Sequence, residues 1–473
     1  MPASLRWSLV LACLLSTTCG AQGRFVDRTA DLGLSLGTGA ACWFDFNGDY
    51  YPDLAAGGAL WINGGAAGFT RVADVPYAVA ADLDNDGLND LFSWASLTLL
   101  RNDGAVALAP LPSPEHPACV SRGACWADLN GDALVDLYVG GYENWDDQIT
   151  YPDMVLMNRG DGRFELTWSD ASTRARGVTA CDFDQDGDAD IYVSNYRLQP
   201  NLLWVNDGVG NLAQMAEEYG VVATSEGFAG GHSIGSAWGD FDGDGHFDLF
   251  AGNFAHVDSR GDQPKSRFLR NTGPEGGYRF EDMGTCGVFY QESYASPAAA
   301  DYDNDGDLDL FFTTVYADAS FGVKNHPVLF RNEGDFVFVD ATEEMGLGGL
   351  PATYQAAWAD YDRDGDLDLA AGGFLFENQA AQGHWLEITL VGDGVTVNRA
   401  AVGAQARISL PDRILVRQVE AGTGEGNQND LMLHFGLGAH AAPVDVEILW
   451  PGGRRQSVAG VSVDQHIEVR LAD

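Results

Sequence analysis

The sequence predicts an all-β protein: a seven-bladed β-propeller followed by a small C-terminal all-β domain. Three observations predict it. A nine-residue acidic motif starts seven times between residues 45 and 360, about every 50 residues. Each copy is flanked by short apolar runs bounded by Gly, Asn and Asp, the composition of strands and turns. No stretch carries a sustained amphipathic-helix period.

The acidic motif sets the frame of the repeat. Residues 301–309 read DYDNDGDLD, with Asp301, Asp303, Asp305 and Asp309 at positions 1, 3, 5 and 9 and Gly306 at position 6. Carboxylates this crowded repel one another, and an uncompensated block is normally solvated and disordered. This block runs directly into an apolar, β-prone segment, so its charge must be neutralised. Alternate residues of a curled loop point inward, and a hard cation such as Ca²⁺ takes about 6–8 oxygen ligands. Glycine at position 6 permits the turn that wraps the chain round the ion. The other copies place candidate metal ligands at Asp45, Asn47, Asp49 and Asp53; at Asp82, Asp84, Asp86 and Asp90; and at Asp128, Asn130, Asp132 and Asp136. They continue at Asp182, Asp184, Asp186 and Asp190; at Asp240, Asp242, Asp244 and Asp248; and at Asp360, Asp362, Asp364 and Asp368. Up to seven Ca²⁺ sites follow. The copies starting at Asp45 and Asp128 carry Asn at position 3, glycine at position 4 and Tyr50 or Ala133 at position 6. With three carboxylates instead of four, these are the weakest predicted sites.

Each loop sits between strands. Small residues, often with tryptophan, precede it (AACWFD, GACWAD, GSAWGD, QAAWAD), which suits innermost strands crowded round an axis. A short apolar strand follows it (DLYVGG, DIYVSN, DLFAGN, DLFFTT, DLAAGG). A third run ends in a turn at Asn63, Asn102, Asn158, Asn206, Asn271, Asn332 or Asn378, which reads as hairpin chemistry. A fourth segment is clearest in FVFVDATEEMGL, residues 336–347. The seventh repeat has no fourth strand of its own, and RFVDRTADLGL at residues 24–34 supplies one. Residues 24–378 therefore read as one ring, closed by the N-terminal strand so that no open sheet edge remains.

Residues 1–21 read as a signal peptide: Arg6, an apolar run from Trp7 to Leu15, then small residues to Ala21. Ser16, Thr17 and Thr18 make a poor acceptor for a lipid anchor at Cys19, so a secreted protein, extracellular or periplasmic, is expected. No other apolar stretch approaches the roughly 20 residues needed to span a bilayer. Five cysteines then remain, and Cys119 with Cys125 is the favoured disulfide pair. A net charge of −43 argues against nucleic acid, whose phosphates need Lys and Arg, and against anionic membranes. After a linker at 379–383, residues 384–473 alternate as strands do (WLEITLV, ILVRQVE, VDVEILW, HIEVRL), enough for a β domain that folds alone.

Tempting motifs read mostly as coincidence. GHSIG at 231–235 matches a nucleophile elbow, but that elbow needs a strand–turn–helix setting and Ser233 lies in an inner-strand segment. Arg260-Gly261-Asp262 matches the cell-adhesion tripeptide, yet Arg159-Gly160-Asp161 repeats it in an ordinary turn. The histidines show no metal-ligand spacing. Insertions are the stronger signal. Segments 142–154, 196–201, 253–268 and 315–330 lie between second and third strands, so they emerge on one face of the ring. Tyr142, Trp145, Tyr151, Tyr196, Phe254, Tyr316 and Phe321 make that face aromatic, and Lys265, Arg267 and Lys324 add positive charge. This is the expected surface for an extracellular protein or glycan partner. A sugar-binding, lectin-like propeller is the alternative, and a polysaccharide-acting enzyme on the same scaffold the more distant one.

The D-x-[DN]-x-D loops followed by strands resemble FG-GAP/VCBS-type repeats, also seen in integrin α-subunits. NRAAVGA (398–404), LHFGLG (433–438) and WPGG (450–453) resemble the ASPIC/UnbV domain. Together they resemble the cartilage acidic protein/UnbV family, which implies a secreted calcium-binding propeller and no known catalytic residues. Two departures stand out: the chain ends without the cysteine-rich EGF-like module of some animal members, and GTGEGNQND (422–430) lacks the aromatic residue common there.

Overall fold

The computed structural model describes residues 24–104, 108–322 and 324–472, so the signal peptide and Cys19 lie outside the described residues. Seven antiparallel four-stranded sheets follow one another along the chain. Their innermost strands are Cys42–Phe44, Val79–Ala81, Ser121–Ala127, Ala175–Cys181, Ser233–Gly239, Tyr294–Ala300 and Ala356–Ala359. Each neighbours the next, and the first neighbours the last, so the seven form a closed cycle. Sheet seven takes its fourth strand from the N-terminus: Val26 and Asp27 pair with Glu377 and Phe376. Arg28 adds a bidentate hydrogen-bonded ion pair to Glu377 (2.7 and 3.1 Å).

The tryptophans that precede the loops fill the gaps between sheets. Trp43 and Trp358 are buried, and their indole N–H groups donate to Ala357 and Ala298 on the neighbouring inner strands (both 3.3 Å). Small residues dominate elsewhere on these strands because the axis leaves no room. A Cβ on Gly177 would lie 2.3 Å from the Gly424 carbonyl.

Gly424 belongs to the C-terminal region, which does not stand apart from the ring. That region forms a four-stranded sheet, in the order Ile414–Gln418, Gln405–Ser409, Val444–Leu449, Arg455–Val461, and a three-stranded one. In the second, His384–Val391 pairs antiparallel with Leu433–Gly438 and parallel with Gln465–Arg470. Both rest on the acidic-loop face. Ile414 N–H donates to Gly243 C=O (3.0 Å), Gly452 N–H to Gly187 C=O (2.8 Å) and Gly438 N–H to Asn304 C=O (2.8 Å). One hydrophobic cluster runs from Trp94 and Trp126 in the ring to Leu386, Phe435 and Trp450 beyond it.

Residues 421–430 leave this region and enter the axis of the ring. An innermost strand is an edge strand, and its outward backbone groups need partners. The segment supplies them in five of the sheets and bonds to side chains of the other two. Trp43 N–H donates to Gln428 C=O, Ala80 N–H to the Gln428 side chain, and Trp126 N–H to Ala421 C=O. Gly424 N–H donates to Ser236 C=O, Glu425 N–H to the Ser296 hydroxyl, and Trp358 N–H to the Asn429 side chain. The fourth sheet contributes Arg176, whose guanidinium donates to Glu425 (2.7 Å), both side chains being buried. The glycines allow this closeness: a Cβ on Gly422, at φ +128°, would lie 2.6 Å from Ala124 C=O.

Removing one member of a buried ion pair strands the other charge, at a cost of about 3–5 kcal/mol. Glu425→Ala is expected to lower the free energy of unfolding by about that amount, measured by denaturant titration, against under about 1 kcal/mol for substitution of a surface carboxylate such as Glu165.

Candidate metal centres

In five of the acidic loops, three carboxylates converge with ligand atoms within 4.8 Å of one another. These are Asp82, Asp84 and Asp86; Asp182, Asp184 and Asp186; Asp240, Asp242 and Asp248; Asp301, Asp303 and Asp309; and Asp360, Asp362 and Asp368. Backbone N–H groups fold each loop round its first carboxylate: Asp86 and Gly87 donate to Asp82 (3.1 and 2.8 Å), Asp364 and Gly365 to Asp360 (3.1 and 2.8 Å).

The carboxylate at position 9 ties the loop to the strands. Asp309 accepts from Tyr302 N–H, at position 2 of its own loop (3.2 Å), and from Asn332 N–H at the turn after the third strand (2.8 Å). Asp53, Asp90, Asp136, Asp248 and Asp368 do the same, whereas Asp190 accepts only from the turn. The turn asparagines do more than shape hairpins. Each side-chain amide reaches the position-2 carbonyl of the preceding loop: Asn102 to Phe46, Asn158 to Leu83, Asn206 to Leu129, Asn271 to Phe183, Asn332 to Phe241 and Asn378 to Tyr302. Asn63 reaches Tyr361 (2.7 Å) and so closes the chain of bonds across the seam.

The residues present fit a cation. Asp84, Asp184, Asp242 and Asp303, all at position 3, each keep a buried Oδ1 without a hydrogen-bond partner, as do Asp301 Oδ1 and Asp190 Oδ2. Buried charged oxygens without a partner are costly, and a hard divalent ion among them removes the cost. Burial pushes the carboxyls of Asp82 and Asp128 up to about 6, and those of Asp53, Asp90, Asp136, Asp182, Asp240 and Asp301 up to about 8. Asp190, Asp248, Asp309 and Asp368 are also raised well above the ordinary carboxylate range, by burial and by neighbouring carboxylates.

The loops starting at Asp45 and Asp128 differ. Their Asn47 and Asn130 amides donate to Asp49 and Asp132 (both 3.0 Å), occupying oxygens that an ion would use. Their displaced glycine has a simple cause. Positions 4 and 6 are left-handed in all seven loops, so Gly48 and Gly131 serve at position 4 (φ +75° and +69°), while Tyr50 and Ala133 take φ +66° and +65° at position 6.

Groups from the C-terminal region also meet the loops, which the loop pattern alone gave no means of finding. Gly436 N–H donates to Asp301 Oδ2 (3.1 Å), leaving Oδ1 to face inward. Arg417 lies 4.0 Å from the same oxygen, and Glu387 sits against Asp360 and contributes to raising it.

Other sequence expectations change. The Cys119–Cys125 bridge does not form: Cys125 is buried in an inner strand, and the Cys119 thiol faces Pro152 C=O. Ser233 is buried in its strand, its hydroxyl donating to Asn253 (2.7 Å). Arg260 folds back on Asp258 at the tip of a small exposed hairpin. On the insertion face, Tyr142 and Tyr196 stack about the buried Arg176 (4.8 and 5.4 Å to centroid), and Phe254 is buried beside them. Trp145 and Tyr316 stay exposed at 55% and 59%; the side chain of Phe321 lies outside the described residues. The expected positive patch is neutralised, because Lys265, Arg267 and Lys324 each meet an aspartate: Asp262, Asp282 and Asp318.

The raised carboxyls fix a pH dependence. Without metal, the folded state holds more protons than the unfolded one between the ordinary aspartate value of 3.8 and about 8, so stability falls as pH rises through that window. A cation must displace those protons. The metal-free protein is therefore expected to melt at a lower temperature at pH 8 than at pH 5, and calcium to raise the melting temperature more at pH 8, both read by scanning calorimetry.

Comparison with known proteins agrees with the architecture. The family model for an FG-GAP-like repeat matches residues 128–193 and 182–251, and that for ASPIC and UnbV matches residues 394–473. Cartilage acidic protein 1 of Mus musculus is 27% identical over 409 residues, covering 78% of this chain and 57% of that protein. Its Xenopus tropicalis counterpart is 27% identical over 382 residues, covering 74% and 54%. The chain thus spans about half the length of the curated relatives it matches. Among solved structures, an Agrocybe aegerita lectin specific for non-reducing terminal N-acetylglucosamine aligns with a TM-score of 0.42 at 15% identity, covering 68% of this chain and 84% of that one. BBS1N in complex with ARL6DN aligns at 0.46 and 13%, covering 76% and 98%. The chain thus carries FG-GAP-like repeats in its ring and an ASPIC/UnbV domain after it, and it is similar in sequence to cartilage acidic protein 1.

Proposed function

We propose that the chain is an exported calcium-binding propeller, a non-enzymatic module whose insertion face engages a protein or a glycan. One observation carries this reading: the two faces of the ring are unequal. The acidic-loop face is covered by the C-terminal region. On the opposite face, exposed Tyr77, Val120, Trp145, Ile149, Val257, Phe289, Tyr290 and Tyr316 lie in the insertions and in the connections between sheets. Exposed apolar residues gathered on one side mark an interaction surface, and aromatics are enriched at such surfaces.

Calcium is the ion that best suits these all-oxygen loops, and its role here is structural. Binding to the native state alone stabilises it by RT ln(1 + [L]/Kd). Affinities of about 10⁻⁴–10⁻³ M suffice where calcium is millimolar, outside the cell. The loops at Asp45 and Asp128 fill last. Among the described residues no helix is long and apolar enough to cross a membrane.

A pull-down from the native extracellular milieu tests the reading. A partner recovered in calcium, lost in chelator and lost again on Trp145→Ala with Tyr316→Ala is the expected result. Recovery unchanged by the double substitution would place the contact on another surface.

A further inference from the structure

With the acidic loops counted in chain order, loops two, four and six carry an amide side chain at position 4: Asn85, Gln185 and Asn304. Each amide donates to the position-6 carbonyl of the following loop: Asn85 to Ala133 (2.8 Å), Gln185 to Gly245 (3.2 Å) and Asn304 to Gly365 (3.0 Å). The peptide that accepts this bond donates through its own N–H to the position-5 carboxylate of that loop. Leu134 N–H reaches Asp132, His246 N–H reaches Asp244 and Asp366 N–H reaches Asp364 (3.0 Å each). One side chain of the earlier loop thus pins a peptide that holds a candidate ligand of the later one. The C-terminal region orients two of these amides: Arg399 N–H donates to Asn85 Oδ1 (2.7 Å), and His434 Nε2 meets Asn304 Oδ1 (2.7 Å).

The other junctions are built differently. Loops one, three and five have glycine at position 4 (Gly48, Gly131 and Gly243), and in loop seven Arg363 donates to His466 instead (3.0 Å). Loops one and two are joined from position 8, where Asn89 donates to Asp45 C=O (2.9 Å). The turn asparagines tie all seven loops alike, so the position-4 amides single out loops two and three, four and five, and six and seven.

We propose that calcium enters these six loops as three coupled pairs. The proposal rests on the calcium reading above and adds which sites act together. Each position-4 amide stands between the carboxylates at positions 3 and 5 of its own loop. In the three donor loops the position-3 carboxylate, Asp84, Asp184 or Asp303, keeps a buried Oδ1 with no partner. In loops four and six Asp190 and Asp301, both 1% exposed, keep one as well. An ion that gathers these oxygens fixes the turn between positions 3 and 5, and with it the amide. The amide polarises the peptide it bonds and strengthens the N–H bond behind it, so the next loop presents its position-5 carboxylate already placed. Coupling of this kind is reciprocal: an ion in the later loop raises affinity in the earlier one by the same factor.

Hydrogen–deuterium exchange of the full mature protein, titrated with calcium and read by mass spectrometry for each loop, tests the pairing. Gln185→Gly deletes one amide, leaves every carboxylate in place, and puts at position 4 the residue that loops one, three and five already carry. It is expected to move the calcium midpoints of loops four and five upward by at least about fivefold, the lower end of ordinary coupling between sites. Loops six and seven should keep their midpoints. Asn85→Gly should act in the same way on loops two and three and leave four and five unchanged. Midpoints that stay put in both variants, or that move equally in all seven loops, overturn the pairing and leave the calcium reading standing. Wild-type loops that gain no protection from calcium overturn both.

Discussion

The buried carboxylate at position 9 of each acidic loop is the tie on which the ring depends. It holds the loop after the first strand to the turn after the third, at 0–1% exposure in every sheet. Burial favours its neutral form, whereas its N–H partners and any bound cation favour the charged one. The turn asparagine whose N–H it accepts reaches back to the preceding loop. Loop geometry is thus passed from sheet to sheet and across the seam at Asn63. A divalent ion held in one loop would act on its neighbour through that carbonyl.

The axis adds a second set of ties. Segment 421–430 bonds to the inner strand of each of the seven sheets, and the rest of its domain lies on the loops themselves. Ring, loops and C-terminal region therefore share one hydrophobic and polar interior. One face is spent on internal contacts, and the opposite face is the one proposed to meet a partner.

Much of this was legible because aspartate spacing is a local code. Positions 1, 3, 5 and 9 are dictated by a loop curling on itself, so the candidate ligands could be read without knowing any long-range contact. The same logic located the strands on either side and the N-terminal strand that completes sheet seven. What escaped was non-local. Asn332 reads as a turn residue, and only the fold brings its amide to Phe241, 91 residues away. Nothing in GTGEGNQND announces its place in the axis, because glycines that permit close approach to seven strands look the same as glycines in a linker. The aromatic insertions were read as a surface, yet Tyr142, Tyr196 and Phe254 turn inward, since the buried Arg176–Glu425 pair needs shielding from water.

The central claim is that divalent ions neutralise the loops and thereby hold the ring. Native mass spectrometry of the mature protein purified in calcium measures this most directly. Five retained divalent ions, with two more bound weakly, and a melting temperature that drops on their removal are the predicted result. A protein that carries no metal and melts at the same temperature before and after chelation would contradict it.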